Sequence, residues 1–134
     1  MKAFFSRLLA LALVVVVSLT GLTACSNPSG LSGNYRDDTL TVIESLRTAI
    51  NLPNDSPSKS QAQSEARQII NDFFSRYRRD DSLLKLNSFT TMRTALNSLA
   101  GHYSSYPNRP VPEKLKKRLE QEFKQVELAL NRGA

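Results

Sequence analysis

At 134 residues the chain has room for one domain. Its 18 Lys and Arg against 12 Asp and Glu give a formal charge of +6, a lean towards anionic partners that does not choose among them. With one cysteine, Cys25, and one histidine, His102, it can form neither an internal disulfide nor a Cys/His metal cage, so its stability must come from packing.

The chain opens with an address. Lys2 and Arg7 precede the apolar run "LLALALVVVVSLTGLTA", and small residues follow up to Cys25, the layout of an export signal over residues 1–24. As a permanent span the run would be short, because a spanning helix needs about 20 apolar residues and Ser18, Thr20, Gly21 and Thr23 interrupt its end. Leu22-Thr23-Ala24-Cys25 resembles the lipobox of bacterial lipoproteins, in which the cysteine sulfur takes a diacylglyceryl group, the peptide is cut before it, and the new amino terminus is acylated. A buried structural thiol does not suit the polar flank Ser26, Asn27, Pro28 and Gly30, and a catalytic thiol would want a base that only His102 could supply. Cys25 is therefore expected to be a lipidation site, and several acyl chains would tether the protein durably. Residues 25–34, polar and rich in Ser, Gly and Asn, read as a flexible leash.

From residue 35 to 134 the apolar residues recur at helical spacing. Tyr35, Thr39, Val42, Ile43, Leu46, Ala49 and Ile50 share one face of a first helix, with Asn34 as N-cap, Asp37 and Asp38 as first-turn charges, and a stop near Asn51 before Pro53 and Pro57. Ser58 or Ser60 can cap a second helix to about Arg79, whose stripe is Ala62, Ala66, Ile69, Ile70, Phe73, Phe74 and Tyr77. "RRDD" marks a turn, with Asp80 and Asp81 read as a cap. A third helix is expected from about Asp81 to His102, weakened near Gly101, burying Leu83, Leu86, Phe89, Met92, Leu96 and Leu99. A fourth begins with Pro112 in its first position and runs through Leu115, Leu119, Phe123, Val126 and Leu130 to Gly133. No period-2 alternation appears, so the pattern predicts an all-α, antiparallel up-and-down four-helix bundle.

Residues able to carry chemistry are few. Neighbouring carboxylates on a helix diverge by about 100°, so neither Asp pair closes on an ion, and His102 suits a helix-end hydrogen bond better than a catalytic role. No catalytic residue and no metal site is expected. The basic stretch "KLKKRL" is interleaved with Glu113, Glu120 and Glu122, as on a solvated face with ion pairs, and nucleic-acid binding is not expected. Tyr103, Tyr106 and Arg109 lie in or beside "GHYSSYPNRPVP", where prolines would hold a loop in shape. They either form an interface or cap the end of the core.

"NYRDDTLTVIESLRTAI" and "SFTTMRTALNSLAGHYSSYPNRPVPEKLKKRL" closely resemble the lumenal photosystem II assembly and repair lipoproteins of cyanobacteria. The resemblance covers essentially the whole chain after Cys25. It implies a four-helix bundle, a lipid anchor of diacylglycerol and acyl chain on Cys25 with no other cofactor, and a non-catalytic role on the lumenal side of the thylakoid membrane. It further implies binding to immature or damaged photosystem II, chiefly at the lumenal loop of a chlorophyll-binding inner antenna protein. There the family keeps the manganese site accessible and prevents premature docking of the extrinsic subunits. The rival expectation is a general bacterial envelope lipoprotein with a scaffold or sensing role. For the partner-binding surface, charge and aromatic content beyond what a core needs point to Arg78, Arg79, Arg93, Tyr103, Tyr106 and Arg109.

Overall fold

Asn34 starts the first helix as its residue type suggests: its side chain accepts the Asp37 amide at 3.1 Å, satisfying one of the donors a helix start leaves open. The computed structural model describes residues 30–134, and within it four helices follow in order. They are α1 (Tyr35–Ile50), α2 (Lys59–Tyr77), α3 (Asn87–Ser105) and α4 (Glu113–Asn131). Cys25 and residues 1–24, expected to be an export signal, lie outside the described residues.

Each helix packs on its sequence neighbours, α4 closes against α1, and the diagonal pairs stay apart. With short connections between them, this is an up-and-down four-helix bundle. It has two ends. The entry end gathers the start of α1, the α2–α3 connection and the finish of α4. The far end gathers the α1–α2 and α3–α4 connections.

Apolar residues at helical spacing fill the centre. Val42, Leu46, Phe73, Phe89, Met92, Leu96, Leu99, Leu119, Phe123 and Val126 are all fully buried, and each such side chain stabilises the fold by roughly 1.5–3 kcal/mol. Near the entry end the core is aromatic. Phe73 lies 5.1 Å from Tyr77 and 6.5 Å from Phe89 between ring centroids, and Tyr35 meets Tyr77 edge-on at 5.4 Å. The Tyr35 hydroxyl and Ser88 Oγ are hydrogen-bonded at 2.9 Å, which satisfies both polar tips against this apolar cluster.

The helix boundaries depart from the expected ones where side chains compete with the backbone ladder. α3 begins at Asn87 rather than Asp81, because Asp80 Oδ1 accepts both the amide and the hydroxyl of Ser82. Three successive turns then carry the chain to Leu86, so Asp80 organises a turn and does not cap the helix. The first open donors of α3 are met from elsewhere: the Ser88 amide donates to the Ala134 carbonyl at 3.0 Å. α3 also runs past Gly101 to Ser105, held by buried Tyr103 beyond it. Ser58 occupies the N-cap position of α2, but its hydroxyl pairs with Ser56 and not with the helix. Pro112 precedes α4 as its N-cap residue, one position earlier than expected.

The finish of α4 is a Schellman motif. The Ala134 amide donates to the Ala129 carbonyl and the Gly133 amide to Leu130, with Gly133 at φ 74°. Arg36 of α1 adds a donor to the Leu130 carbonyl at 2.8 Å. Midway along the bundle Arg47 of α1 grips two glutamates of α4, pairing with Glu120 at 2.9 Å and with Glu127.

Candidate functional site

The six residues singled out from the sequence do not form one patch. Arg78 and Arg79 follow α2 at the entry end, both exposed, with the Arg78 guanidinium 4.7 Å above the Phe74 ring. Tyr106 and Arg109 lie in the α3–α4 connection at the far end. Arg93 is exposed in the second turn of α3, about 20 Å of helix before Tyr106. Alternating helix direction enforces the separation.

Tyr103 is a core residue. It is 2% exposed, its hydroxyl has no hydrogen-bond partner among the described residues, and burial pushes its phenol up to about 12 against a weaker opposite pull from Arg67. It cannot offer a surface to a partner without unfolding the end of α3. Tyr106, three residues on, is 57% exposed.

The far end is a shaped surface. The Arg109 amide donates to the Tyr106 carbonyl at 3.2 Å, Asn108 takes the left-handed conformation at φ 64°, and Val111 is buried as a plug. The Arg109 carbonyl accepts from Gln63 Nε2 of α2 at 3.3 Å, and His102 Nε2 lies 3.4 Å from the same oxygen. The connection is thereby tied to α2 and α3, and Pro107, Pro110 and Pro112 narrow its remaining freedom. It walls a groove of about 570 Å³ whose lining includes Asn54, His102, Tyr106, Arg109 and Lys116. The His102 and Tyr106 rings sit 5.5 Å apart at its rim. Such a groove can hold an extended loop by aromatic contact and offer it cations. His102 meets the connection through the Arg109 carbonyl, the loop or helix-end contact expected from the sequence.

The entry end holds what sequence reasoning missed. Asp37 is an exposed first-turn charge, but its neighbour Asp38 is 1% exposed. The Asp38 carboxylate accepts the Ser32 amide at 2.6 Å, the Ser32 hydroxyl at 2.9 Å, the Gly33 amide at 2.9 Å and the Tyr77 hydroxyl. Burial alone would raise its pKa, but the hydrogen bonds from Tyr77, Ser32 and Gly33 outweigh that and hold it below the usual carboxylate range. The Tyr77 phenol is raised by the same burial and by its bond to Asp38. Leu31, just before this clamp, is 4% exposed and part of the core. Residues 31–33 thus belong to the folded body, and the leash drawn through Asn34 gives way to it at Leu31. The available signal was a lone leucine between Gly30 and Ser32.

The basic stretch of α4 carries ion pairs, Lys116 with Glu113 at 3.3 Å and Arg118 with Glu122 at 3.0 Å. Among the described residues no three of His, Cys, Asp and Glu gather to hold a metal ion. No helix among them is long and apolar enough to cross a membrane.

Known proteins share this arrangement. The family model described as Photosystem II Pbs27 matches residues 3–130. The photosystem II assembly factor lipoprotein Psb27 of Thermosynechococcus vestitus is 65% identical over 135 residues, covering 100% of this chain and 98% of that protein. The photosystem II lipoprotein Psb27 of a Synechocystis species is 59% identical over 133 residues, covering 99% of this chain and 97% of its own. Among solved structures, the solution structure of Psb27 from cyanobacterial photosystem II superposes with a TM-score of 0.77 at 58% identity, covering 82% of this chain and 96% of that one. The family model covers nearly the whole sequence and the relatives match it over nearly their full length, and the chain belongs to the Photosystem II Pbs27 family.

Proposed function

We propose that this chain is a non-catalytic, lipid-anchored assembly and repair factor of photosystem II, working on the lumenal side of the thylakoid membrane. The observation that carries the reading is 65% identity, over the full chain, to a relative named as a photosystem II assembly factor lipoprotein. On this reading Cys25 is diacylglycerylated and acylated, and the bundle binds immature or damaged complexes through the lumenal loop of a chlorophyll-binding inner antenna protein. Occupying that loop keeps the manganese site accessible and holds off the extrinsic subunits until assembly is complete.

The far end is the surface we assign to that contact. Tyr106 is the large exposed aromatic there, Arg109 and Lys116 supply cations, and the tied connection loses little freedom on binding. α3 extends the surface with an outer face of Thr94, Asn97, Gly101 and Ser104, all exposed, on which Arg93 is the sole Lys or Arg of the helix. A lipid tether raises the local concentration of such a surface, so a modest contact suffices and can be displaced when the extrinsic subunits arrive.

The test is affinity purification of the tagged full-length chain from membranes, followed by mass spectrometry with the mature N-terminus read in the same run. Expected are manganese-depleted photosystem II with its inner antenna protein, and an N-terminal peptide beginning at lipidated Cys25. Recovery of envelope proteins without photosystem II would replace the reading with that of a general envelope lipoprotein.

A further inference from the structure

The entry end carries an excess of exposed positive charge. Arg36, Arg76, Arg78, Arg79, Lys85 and Arg132 are exposed around it, outnumbering the exposed carboxylates Asp37, Asp80 and Asp81. Among the described residues none of these six cations makes an ion pair, although Arg36 is held by the Leu130 carbonyl and the Asn131 side chain and Arg78 lies over the Phe74 ring. In the α2–α3 connection, beside Lys85, Leu84 is 41% exposed, one of few large apolar side chains left to solvent. Exposed cations at the same end as an exposed leucine match a surface of anionic headgroups over acyl chains.

Chain connectivity brings that surface to this end. Leu31 is buried and Ser32 and Gly33 are held by Asp38, so the chain enters the bundle at a fixed place beside the α2–α3 connection. Cys25 lies only a few residues upstream, a reach of at most about 20 Å when fully extended. The far end stands a helix length, about 27 Å, beyond.

Resting on the lipid anchor of the proposed function, we infer that the entry end docks on an anionic bilayer surface, Arg78, Arg79 and Lys85 meeting headgroups and Leu84 entering the interface, so that the bundle stands upright. A lipid anchor by itself sets no orientation of a domain. End-on docking instead presents the Tyr106 end away from the membrane, and it gives Arg78 and Arg79 a role that their distance from Tyr106 denies them in the protein contact.

The chain contains no tryptophan, so Leu84→Trp and, separately, Tyr106→Trp each place a single emitter at one end of the full-length protein. The probes are vesicles of phosphatidylcholine alone and of phosphatidylcholine with phosphatidylglycerol, both with brominated acyl chains that quench on contact. Expected is strong quenching of Leu84→Trp on the anionic vesicles with none of Tyr106→Trp, fading at roughly 1 M salt where screening falls to about 3 Å. Adding Arg78→Gln and Arg79→Gln should lower the ratio of quenched to free Leu84→Trp roughly thirtyfold, a factor of about five for each cation near an anionic surface. Equal quenching at both ends, quenching as strong on neutral vesicles, or no effect of the two substitutions overturns the inference. So does an unquenched Leu84→Trp, which would give these cations to an acidic protein surface instead. The mass of the N-terminal peptide reports the anchor separately. If Cys25 carries no lipid, the anchoring in the proposed function fails, and the two emitters on saturating anionic vesicles still decide which end meets the bilayer.

Discussion

Asp38 and Tyr77, 39 residues apart in the sequence, are joined by a buried hydrogen bond from the tyrosine hydroxyl to the carboxylate, and the same carboxylate holds the backbone of Ser32 and Gly33. One side chain thereby links α1, α2 and the segment by which the chain enters the fold. An ionised carboxylate suits this place because all its neighbours are donors.

Asp38→Asn keeps the shape but puts an amide donor among those donors. The expected cost is about 2–3 kcal/mol near neutral pH, read as a lower urea midpoint with unchanged slope. The pH dependence has a definite sign. The folded carboxyl is held below its ordinary value, so its stabilisation is present above the unfolded value of about 3.9 and is lost as pH falls through the folded one. The gap between the parent and Asp38→Asn should therefore close in acid. Equal urea midpoints at neutral pH would rule the clamp out.

Tyr103 offers the opposite case, a buried hydroxyl without a hydrogen-bond partner among the described residues. Tyr103→Phe removes a desolvated group and should leave stability equal or raised by up to about 1 kcal/mol. In alkali the two should part. With a folded value near 12 against 10.0 for the free phenol, the contribution of Tyr103 is whole below pH 10 and lost as pH rises towards 12. Thermal melts across that window should show Tyr103→Phe losing less than the parent, and partner binding should be untouched by the change.

How much of this could be seen beforehand follows from the range of the forces. The four helices are written in local periodicity, as in Val42, Ile43 and Leu46 or Phe73, Phe74 and Tyr77, and Asn34 announces its own cap. Leu83 and Leu86 continue the apolar stripe and place the expected start of α3 six residues early, while the Asp80–Ser82 turn that breaks the ladder rests on only two local hydrogen bonds. The clamp could not be read at all, since Asp38 looks like any first-turn acid until Tyr77 is brought against it. Arg78, Arg79, Tyr106 and Arg109 share the chemistry of an interface but not one surface. Once helices alternate in direction, residues that flank a helix must lie at opposite ends of it.

Arg47 tests a second long-range link. Its guanidinium lies between Glu120 and Glu127 of α4, and the bond to Glu127 leads the causes that raise its own pKa. All three side chains are about one-third exposed, which moderates the gain. Arg47→Met keeps an unbranched apolar stem but removes the charge and with it the guanidinium 5.9 Å from the Phe123 ring centroid, with an expected cost of about 1–2 kcal/mol, or several degrees in Tm. A double-mutant cycle with Glu127→Gln should return a coupling of about 1 kcal/mol that shrinks in high salt. Strictly additive costs would show the pair to be idle.

Two glycines should respond in opposite directions. Gly101 is exposed inside α3, and a Cβ there meets nothing within 4 Å, so Gly101→Ala should stabilise by roughly 0.5–1 kcal/mol. Gly133 holds φ 74° in the Schellman turn, so Gly133→Ala should destabilise by about 1 kcal/mol. Chemical denaturation of the two single variants settles both signs.

Tyr106 carries the last prediction, because it separates function from folding. More than half of the side chain is in solvent, so Tyr106→Ala should leave Tm within about 2 °C of the parent. If the far end is the contact with photosystem II, the same change removes the aromatic anchor of a preorganised groove and should weaken binding by about 2 kcal/mol, roughly thirtyfold in Kd. Arg109→Glu should weaken it further by reversing a cation beside that anchor. Titration of each purified variant against manganese-depleted complexes measures the effect without the tether's contribution to local concentration. Loss of binding with Tm preserved would place the contact at the far end. Unchanged binding in both variants would move it onto the outer face of α3, where Arg93→Glu then becomes the decisive substitution.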